Sequence, residues 1–494
     1  MSGETNDDGE PSIAVDPANI SHIVAHAFTY DPLKSKYAPF YYSLDGGDNW
    51  TLNAALPGGE ATGDLTLKFG ESSGVLYVGM LRSDSGDLNV LRFEDFTTQN
   101  YDLLIDRTDD DQPWVEATTA LNTDRVYVGS NDTSQKPITG KTATVDFSLD
   151  AAQLANFQTA RLEVRETPGQ DAPSVRPAIH PSGVIYAAYL GWRKSEKAIT
   201  DVVVCRDDNW GIGAKPFTDL VELNGDGKAG VRVAIGVPLP VSVNLFFVFL
   251  GTQRIGSTLS VAVDPTDLQG QTVYLAWADG ATPDEYTLHL RKSTNGGVSW
   301  SPDLRSIPRA VNPSLAVSSK GVVGFLYQQL YSPGYGTRWQ TILERSDDGF
   351  KTPPSNLKLA DVLDLEHNLS VPSIGDYANL VAVGENDFYG VFSAYNDPDS
   401  GILGGYFPYG VKYLRNNDPM NHVLLDGNLT PKKVEPSIDP FFFKVEEKPE
   451  YTPGGGAGRH GPWPRGVRFG GSTHAGQEPF QKTVKPSGGD DENK

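Results

Sequence analysis

The sequence predicts an all-β repeat protein, and three observations carry that prediction. An eight-residue phrase recurs, Ser43-Leu-Asp45-Gly46-Gly47-Asp48-Asn49-Trp50 and Ser293-Thr-Asn295-Gly296-Gly297-Val298-Ser299-Trp300, with a shortened copy at Ser346-Asp347-Asp348-Gly349-Phe350-Lys351-Thr352. Pairs of strand-like runs return at intervals along most of the chain. The 52 glycines and 35 prolines punctuate it with turns, and no sustained helical periodicity competes.

The paired runs come in chain order. The first four are Pro11-Ser-Ile-Ala-Val-Asp16 with His22-Ile-Val-Ala, Leu65-Thr-Leu-Lys with Val75-Leu-Tyr-Val, Gln112-Pro-Trp-Val with Arg125-Val-Tyr-Val, and Pro173-Ser-Val-Arg-Pro-Ala with Val184-Ile-Tyr-Ala. Thr258-Leu-Ser-Val-Ala-Val with Thr272-Val-Tyr-Leu, Pro313-Ser-Leu-Ala-Val with Val322-Val-Gly-Phe, and Ala378-Asn-Leu-Val-Ala-Val with Asp387-Phe-Tyr-Gly-Val complete seven. Openings mostly about 45 to 60 residues apart suit one four-stranded antiparallel blade each, which predicts a single β-propeller. The longer fourth interval carries Arg206-Asp207-Asp208-Asn209-Trp210-Gly211 as a degenerate copy of the phrase, and 213–256 reads as an inter-strand insertion. The expected domains are a propeller over 8–415 and a Pro/Gly-rich, largely irregular C-terminal extension over 416–494.

The recurring phrase has the chemistry of a self-tied turn. Asp or Asn accepts hydrogen bonds from nearby backbone N–H groups, Gly-Gly supplies positive φ, and the closing aromatic returns as an apolar plug. The pattern S-x-D-G-G-x-x-W resembles the Asp box, or BNR repeat, of sialidase-like β-propellers. In that family the box joins the third and fourth strands of a blade, away from the catalytic mouth, so Asp45, Asn295 and Asp348 are expected to be structural. Sialidases proper have six blades, whereas the seven openings here favour seven.

Composition narrows the partners. With 41 basic and 63 acidic side chains the formal net charge is -22, the wrong sign for a nucleic-acid backbone. The single cysteine, Cys205, permits no intrachain disulfide and sits in an apolar run as an expected inert thiol. The apolar stretch from Val231 to Leu250 is broken by Arg232, Pro238, Pro240 and Asn244, which argues for β segments over a membrane span. No signal peptide is recognisable in this chain, and the resemblance implies an extracellular location. No cofactor is expected. Asn224-Gly-Asp226-Gly227 has half the look of a structural calcium loop but lacks the acidic residue at its twelfth position, so a hairpin turn is favoured. The eight His have no metal-ligand spacing.

First strands of a propeller run beside its axis, and their opening residues converge on the channel mouth. Glu10, Asp111, Asp171, Asn312 and Asp376 stand at those openings. They suit a sugar, a cation or ordered water, or else cap strand ends and bridge blades. The resemblance implies three arginines clamping a substrate carboxylate, a Tyr nucleophile with a Glu, and an Asp acid/base. The expected set is therefore Tyr377, Asp376 and Asp111 as catalytic groups, with Arg176, Arg254, Arg309, Trp114 and Asp171 binding substrate. The family's Arg-Ile-Pro phrase is not found near the start of the array. Two functions stay open: engagement of a carbohydrate or glycoconjugate at the mouth, extending to exo-sialidase activity, or a non-catalytic lectin-like or protein-binding propeller.

Overall fold

Antiparallel strands follow one another in the order in which they pair in six sheets, and a seventh with one non-consecutive pairing completes the series along the chain. The computed structural model describes residues 9–28, 40–53, 62–82, 85–153, 156–167, 175–193, 199–239, 259–282, 285–332, 337–363, 374–395 and 438–447, with short strands between 412 and 433. Each sheet is a four-stranded blade, and the seven blades form a β-propeller. Among the described residues there is no α-helix, only a single turn of 3-10 helix at Thr133–Gln135. No helix among them is long and apolar enough to cross a membrane.

The first strands are Gly9–Val15, Thr62–Phe69, Asp110–Ala120, Arg176–Ile179, Leu259–Val263, Ala310–Val317 and Asn379–Val383. Residues from all seven line one central channel of about 240 Å³. Alternation of the four strands then puts two kinds of connection on opposite faces. The channel mouth gathers blade-to-blade links and second-to-third strand loops, while first-to-second and third-to-fourth turns lie on the far face.

Blade 7 corrects the expected domain boundary. Its third strand is Ile438–Val445 and its outer strand Lys412–Tyr413, so the propeller runs past residue 415. A small sheet of Asn417–Asp418, Val423–Leu425 and Pro431–Lys433 is inserted between. The insertion expected at 213–256 is also shorter than predicted, because Val231–Pro238 is the fourth strand of blade 4. In the preceding loop Asp226 accepts from Arg165 Nε at 2.9 Å and from the Lys228 N–H at 3.0 Å. Its carboxylate holds that arginine and its own turn, the hairpin reading of the sequence.

Among the described residues no strand is exchanged between blades 1 and 7, and side-chain contacts close the ring. The Ile13 N–H donates to Asn379 Oδ1 at 3.4 Å, Lys444 Nζ donates to the Gly46 carbonyl at 3.2 Å, and Trp50 meets Phe442 edge to face at 5.2 Å.

The recurrent turns join the third and fourth strands on the far face. Ser43 Oγ accepts from the Gly47 N–H at 2.8 Å and donates to Asp45, whose carboxylate accepts from the Asn49 N–H at 2.8 Å. Ser293 and Asn295 repeat this with Gly297 and Ser299, and Ser346 and Asp348 with Phe350 and Thr352. In blade 4 Asp207 takes the serine's place and accepts from the Asn209 and Gly211 N–H groups at 2.9 and 2.6 Å. Positive φ at Gly47 lets its backbone lie on the neighbouring blade, where an added Cβ would come within 2.4 Å of the Phe442 ring. These side chains are spent on their own turns, as the sequence predicts for Asp45, Asn295 and Asp348.

Candidate functional site

At the mouth the first strands do something unusual. Three carry, within their first four residues, a polar residue followed by proline: Glu10-Pro11, Gln112-Pro113 and Asn312-Pro313. At each, pairing with the second strand skips register, and the residue before proline is left-handed, with φ of 55, 57 and 53°. A β-bulge leaves one residue outside the ladder, and proline fits there because it has no N–H to pair. Holding a non-glycine residue left-handed costs on the order of 1 kcal/mol each, so the mouth is built under strain. Asn312 shows one use of the geometry: its amide donates to Gln328 Oε1 at 3.0 Å and to the Gly375 carbonyl at 3.1 Å, bridging blades 6 and 7.

Below the bulges, one equivalent channel-facing position recurs in every blade: Ser12, Thr66, Trp114, Arg176, Ser260, Ser314 and Asn379. Four of these side chains accept a hydrogen bond from the first strand of the next blade. Thr66 takes the Val115 N–H at 2.9 Å, Ser260 that of Leu315 at 2.9 Å, Ser314 that of Leu380 at 2.9 Å, and Asn379 that of Ile13 at 3.4 Å. They are inter-blade latches. Between blades 3 and 4 the device cannot form, because Trp114 offers no acceptor and the residue that would donate, Pro177, has no N–H.

Instead Trp114 and Arg176 turn into the channel together. The guanidinium lies 3.6 Å from the centre of the indole and 5.6 Å from that of the Tyr377 ring, and Tyr377 meets Trp114 edge to face at 5.8 Å. Tyr377 comes from blade 7, across the ring from blades 3 and 4, so the three side chains meet over the axis and close the mouth. A desolvated cation–π contact of this kind contributes about 2 kcal/mol.

Charge surrounds the stack. Burial pulls the Arg176 guanidinium down to about 9, and Tyr377, Asp64, Asp376 and Glu116 act in the opposite direction. Burial also pushes the Tyr377 phenol well above its ordinary value, reinforced by Asp64 and Glu10 and opposed by Arg176. Asp376 is fully buried, and Glu10 and Asp64 are nearly so. At neutral pH the site holds a neutral phenol and one guanidinium among carboxyls from blades 1, 2, 3 and 7. Among the described residues no group of His, Cys, Asp or Glu is arranged to hold a metal ion.

The structure thus brings together Trp114, Arg176, Asp376 and Tyr377 from the expected set. Asp111 is half-buried at the rim, where its Oδ1 accepts from the Gln112 N–H at 2.9 Å. Arg309 stands apart on the link between Arg305–Pro308 and Ala310–Val317, donating to Ser332 Oγ at 3.3 Å. Arg254 and Asp171 lie outside the described residues. Asp64 and the latch residues were not anticipated. Their sequence signal is a lone Ser, Thr or Asn at the same step of successive apolar first strands.

Beside the mouth, a second charged group joins blades 2 and 3. Asp110, Asp132 and Asp146 are buried around Arg107, which lies 3.2 Å from Asp110 and pairs with Asp146, while Arg161 pairs with Asp132. Burial raises the Asp110 carboxyl to about 7, with Arg107 lowering it and Asp132 and Asp146 raising it further.

No protein-family model matches the sequence, and no curated protein matches it. Among solved structures, an α-L-arabinofuranosidase from Fusarium graminearum is 13% identical with a TM-score of 0.42, the match covering 72% of this chain and 96% of that one. An α-L-arabinanase from Penicillium chrysogenum, complexed with arabinobiose, is 14% identical at 0.39, covering 65% and 89%. The SapL1 lectin in complex with α-methyl fucoside is 10% identical at 0.39, covering 69% and 94%. Likeness at this level assigns no activity to this chain.

Proposed function

We propose that this propeller engages a carbohydrate or glycoconjugate at its channel mouth and acts there as a binding module. The observation that supports this reading is the asymmetry of the two faces. Strands Val231–Pro238, Ser355–Leu363 and Asp387–Tyr395 all end on the mouth side and are followed by long stretches of sequence between blade strands, and the same side holds the place where large side chains replace the latches. Half-buried Trp114 and Asp111 offer an aromatic edge and a carboxylate, a combination suited to the C–H and hydroxyl groups of a sugar. The overall negative charge disfavours a polyanion in the same place.

The rival is the exo-sialidase reading, with Tyr377 as nucleophile and Arg176 in a carboxylate clamp. One observation favours it: phenol, guanidinium and carboxyls do share a site. Against it stands the direction of the phenol's shift, since a nucleophile needs its proton removed and burial here holds it on.

Glycan-array binding by the full chain, run beside a panel of fluorogenic sialosides and arabinofuranosides, separates the two. The expected result is binding to a defined glycan, lost in Asp111→Asn, with no turnover. Turnover abolished by Tyr377→Phe would replace the module with the hydrolase. A folded sample that neither binds nor cleaves would end the carbohydrate reading.

A further inference from the structure

The far face carries its own signal. Seven exposed apolar side chains, Ile20, Leu44, Leu121, Ile212, Leu223, Leu268 and Val298, sit on first-to-second or third-to-fourth turns, all on that face. At its centre the channel opens into a hollow of about 220 Å³, walled by Pro17, Pro181 and Pro265 from the turns of blades 1, 4 and 5 and edged by Glu71 and by Glu116, the latter paired with Lys68 at 2.7 Å. Carboxylates stud the surrounding turns. Thr97 and Thr352, by donating side-chain hydrogen bonds, hold Asp95 and Asp348 below the ordinary range and therefore ionised.

The chain leaves the described fold on this same face. Strand Ile438–Val445 runs down blade 7 and ends there, pinned by the Glu447 N–H on Asp387 Oδ1 at 2.8 Å and by Arg345 against Glu447 at 3.3 Å. The C-terminal sequence beyond this strand is balanced overall, with seven acidic and seven basic side chains, but its charges are segregated and the middle of it is basic. Between 451 and 485 stand Arg459, Arg465, Arg468, Lys482 and Lys485 against the single acid Glu478, in a chain whose formal net charge is -22. The phrase Pro462-Trp463-Pro464-Arg465 lies at its centre.

We infer that the far face is a docking surface for the chain's own C-terminal segment, with Trp463 and its flanking prolines in the proline-walled hollow and Arg459, Arg465 and Arg468 on the surrounding carboxylates. The reach is sufficient. Sixteen positions separate Glu447 from Trp463, on the order of 50 Å if extended, whereas a third strand stands only about 10–15 Å from the first at ~4.8 Å per strand. Indole against proline rings with arginine at an acidic edge is an ordinary amphipathic recognition mode. The surface is distinct from the channel mouth and independent of what binds there.

The test uses the full chain. Hydrogen exchange is compared between the wild type, Trp463→Ala and the charge-reversed R459E/R465E/R468E. The expected result is loss of protection in the turns 181–184 and 264–272 by about tenfold in both variants, with the blade strands unchanged. Carbodiimide coupling of Lys482 and Lys485 to far-face carboxylates within the monomer should disappear in the triple variant. Identical exchange in all three proteins would overturn the proposal, as would coupling found only between two molecules, which would make a second copy the occupant.

Discussion

Around the channel the junctions of blades 5 to 6, 6 to 7 and 7 to 1 are alike, and the junction of 3 to 4 is not. The first three each place a Ser or Asn of one first strand under an N–H of the next. The last has Trp114 facing Pro177 and therefore no bond to make. It is held farther out. Tyr127, Phe147, Val175, Tyr189, Cys205 and Phe217 form one core across blades 3 and 4, Tyr127 Oη donates to the Trp210 carbonyl at 3.0 Å, and the Arg125 guanidinium covers the Trp210 ring at 4.2 Å. Outer packing alone does not set the junctions apart, since blades 5, 6 and 7 share one core and blades 7 and 1 another. What is particular to the 3–4 junction is the axial pair itself: with Pro177 unable to donate, the facing position has no latch to make and carries the indole of the mouth stack.

The contrast breaks most readily at Arg176. Arg176→Met keeps the side chain's length but leaves Asp64 and Asp376 without their guanidinium, and removing one partner from a buried charged group costs about 3–5 kcal/mol. A urea titration should show that loss. Cys205 supplies a local reporter. Burial pushes its thiol up to about 12, so in the wild type it should stay inert to thiol reagents at neutral pH and become reactive in the variant as the junction opens. A variant as stable as wild type would mean the guanidinium is not what compensates the mouth.

Asp110, in blade 3 beside Arg107 of blade 2, should make the fold sensitive to pH at the preceding junction. Its folded-state value, about 7, lies above the ordinary 3.8, so the native state binds the proton more tightly than the unfolded state does. Stability then falls as pH rises from about 4 to 7 and stays low above that. Asp110→Asn removes the titration. The variant should gain on wild type across this window, reaching about 2 kcal/mol at pH 8 once the nominal worth of the shift is halved for relaxation of the site. A difference that does not change with pH would show that Asp110 carries no native-state charge penalty.

Much of the architecture was legible because its signals are local. Seven paired strand runs and the self-tied turn are written in neighbouring residues, and the blade count and the roles of Asp45, Asn295 and Asp348 follow from them. The boundary at 415 failed because the third strand of blade 7, Ile438–Val445, reaches its partner only after a long insertion, and no local pattern announces a non-consecutive pairing. The site was half legible. Arg176, Trp114, Asp376 and Tyr377 could be chosen by their place at strand openings, but their meeting over the axis depends on which blades stand opposite one another. Pro177 was readable only in retrospect: a proline inside a first strand matters once the N–H it lacks is seen to be the latch donor.

The smallest predicted effect sharpens the comparison most. Ser314→Ala removes the acceptor beneath the Leu380 N–H and should cost about 1–2 kcal/mol, the penalty of a buried donor left unmade. Trp114→Ser puts a latch side chain into blade 3, yet Pro177 still has nothing to donate, so the substitution should lose the stack and gain no compensating bond. Adding Pro177→Ala to Trp114→Ser supplies the missing N–H. If the latch is what the other junctions depend on, the double variant should recover about 1 kcal/mol over Trp114→Ser, while Pro177→Ala alone should recover nothing. Equal effects of Pro177→Ala in both backgrounds would show that the proline acts through chain stiffness, and that the 3–4 junction is not a latch given up.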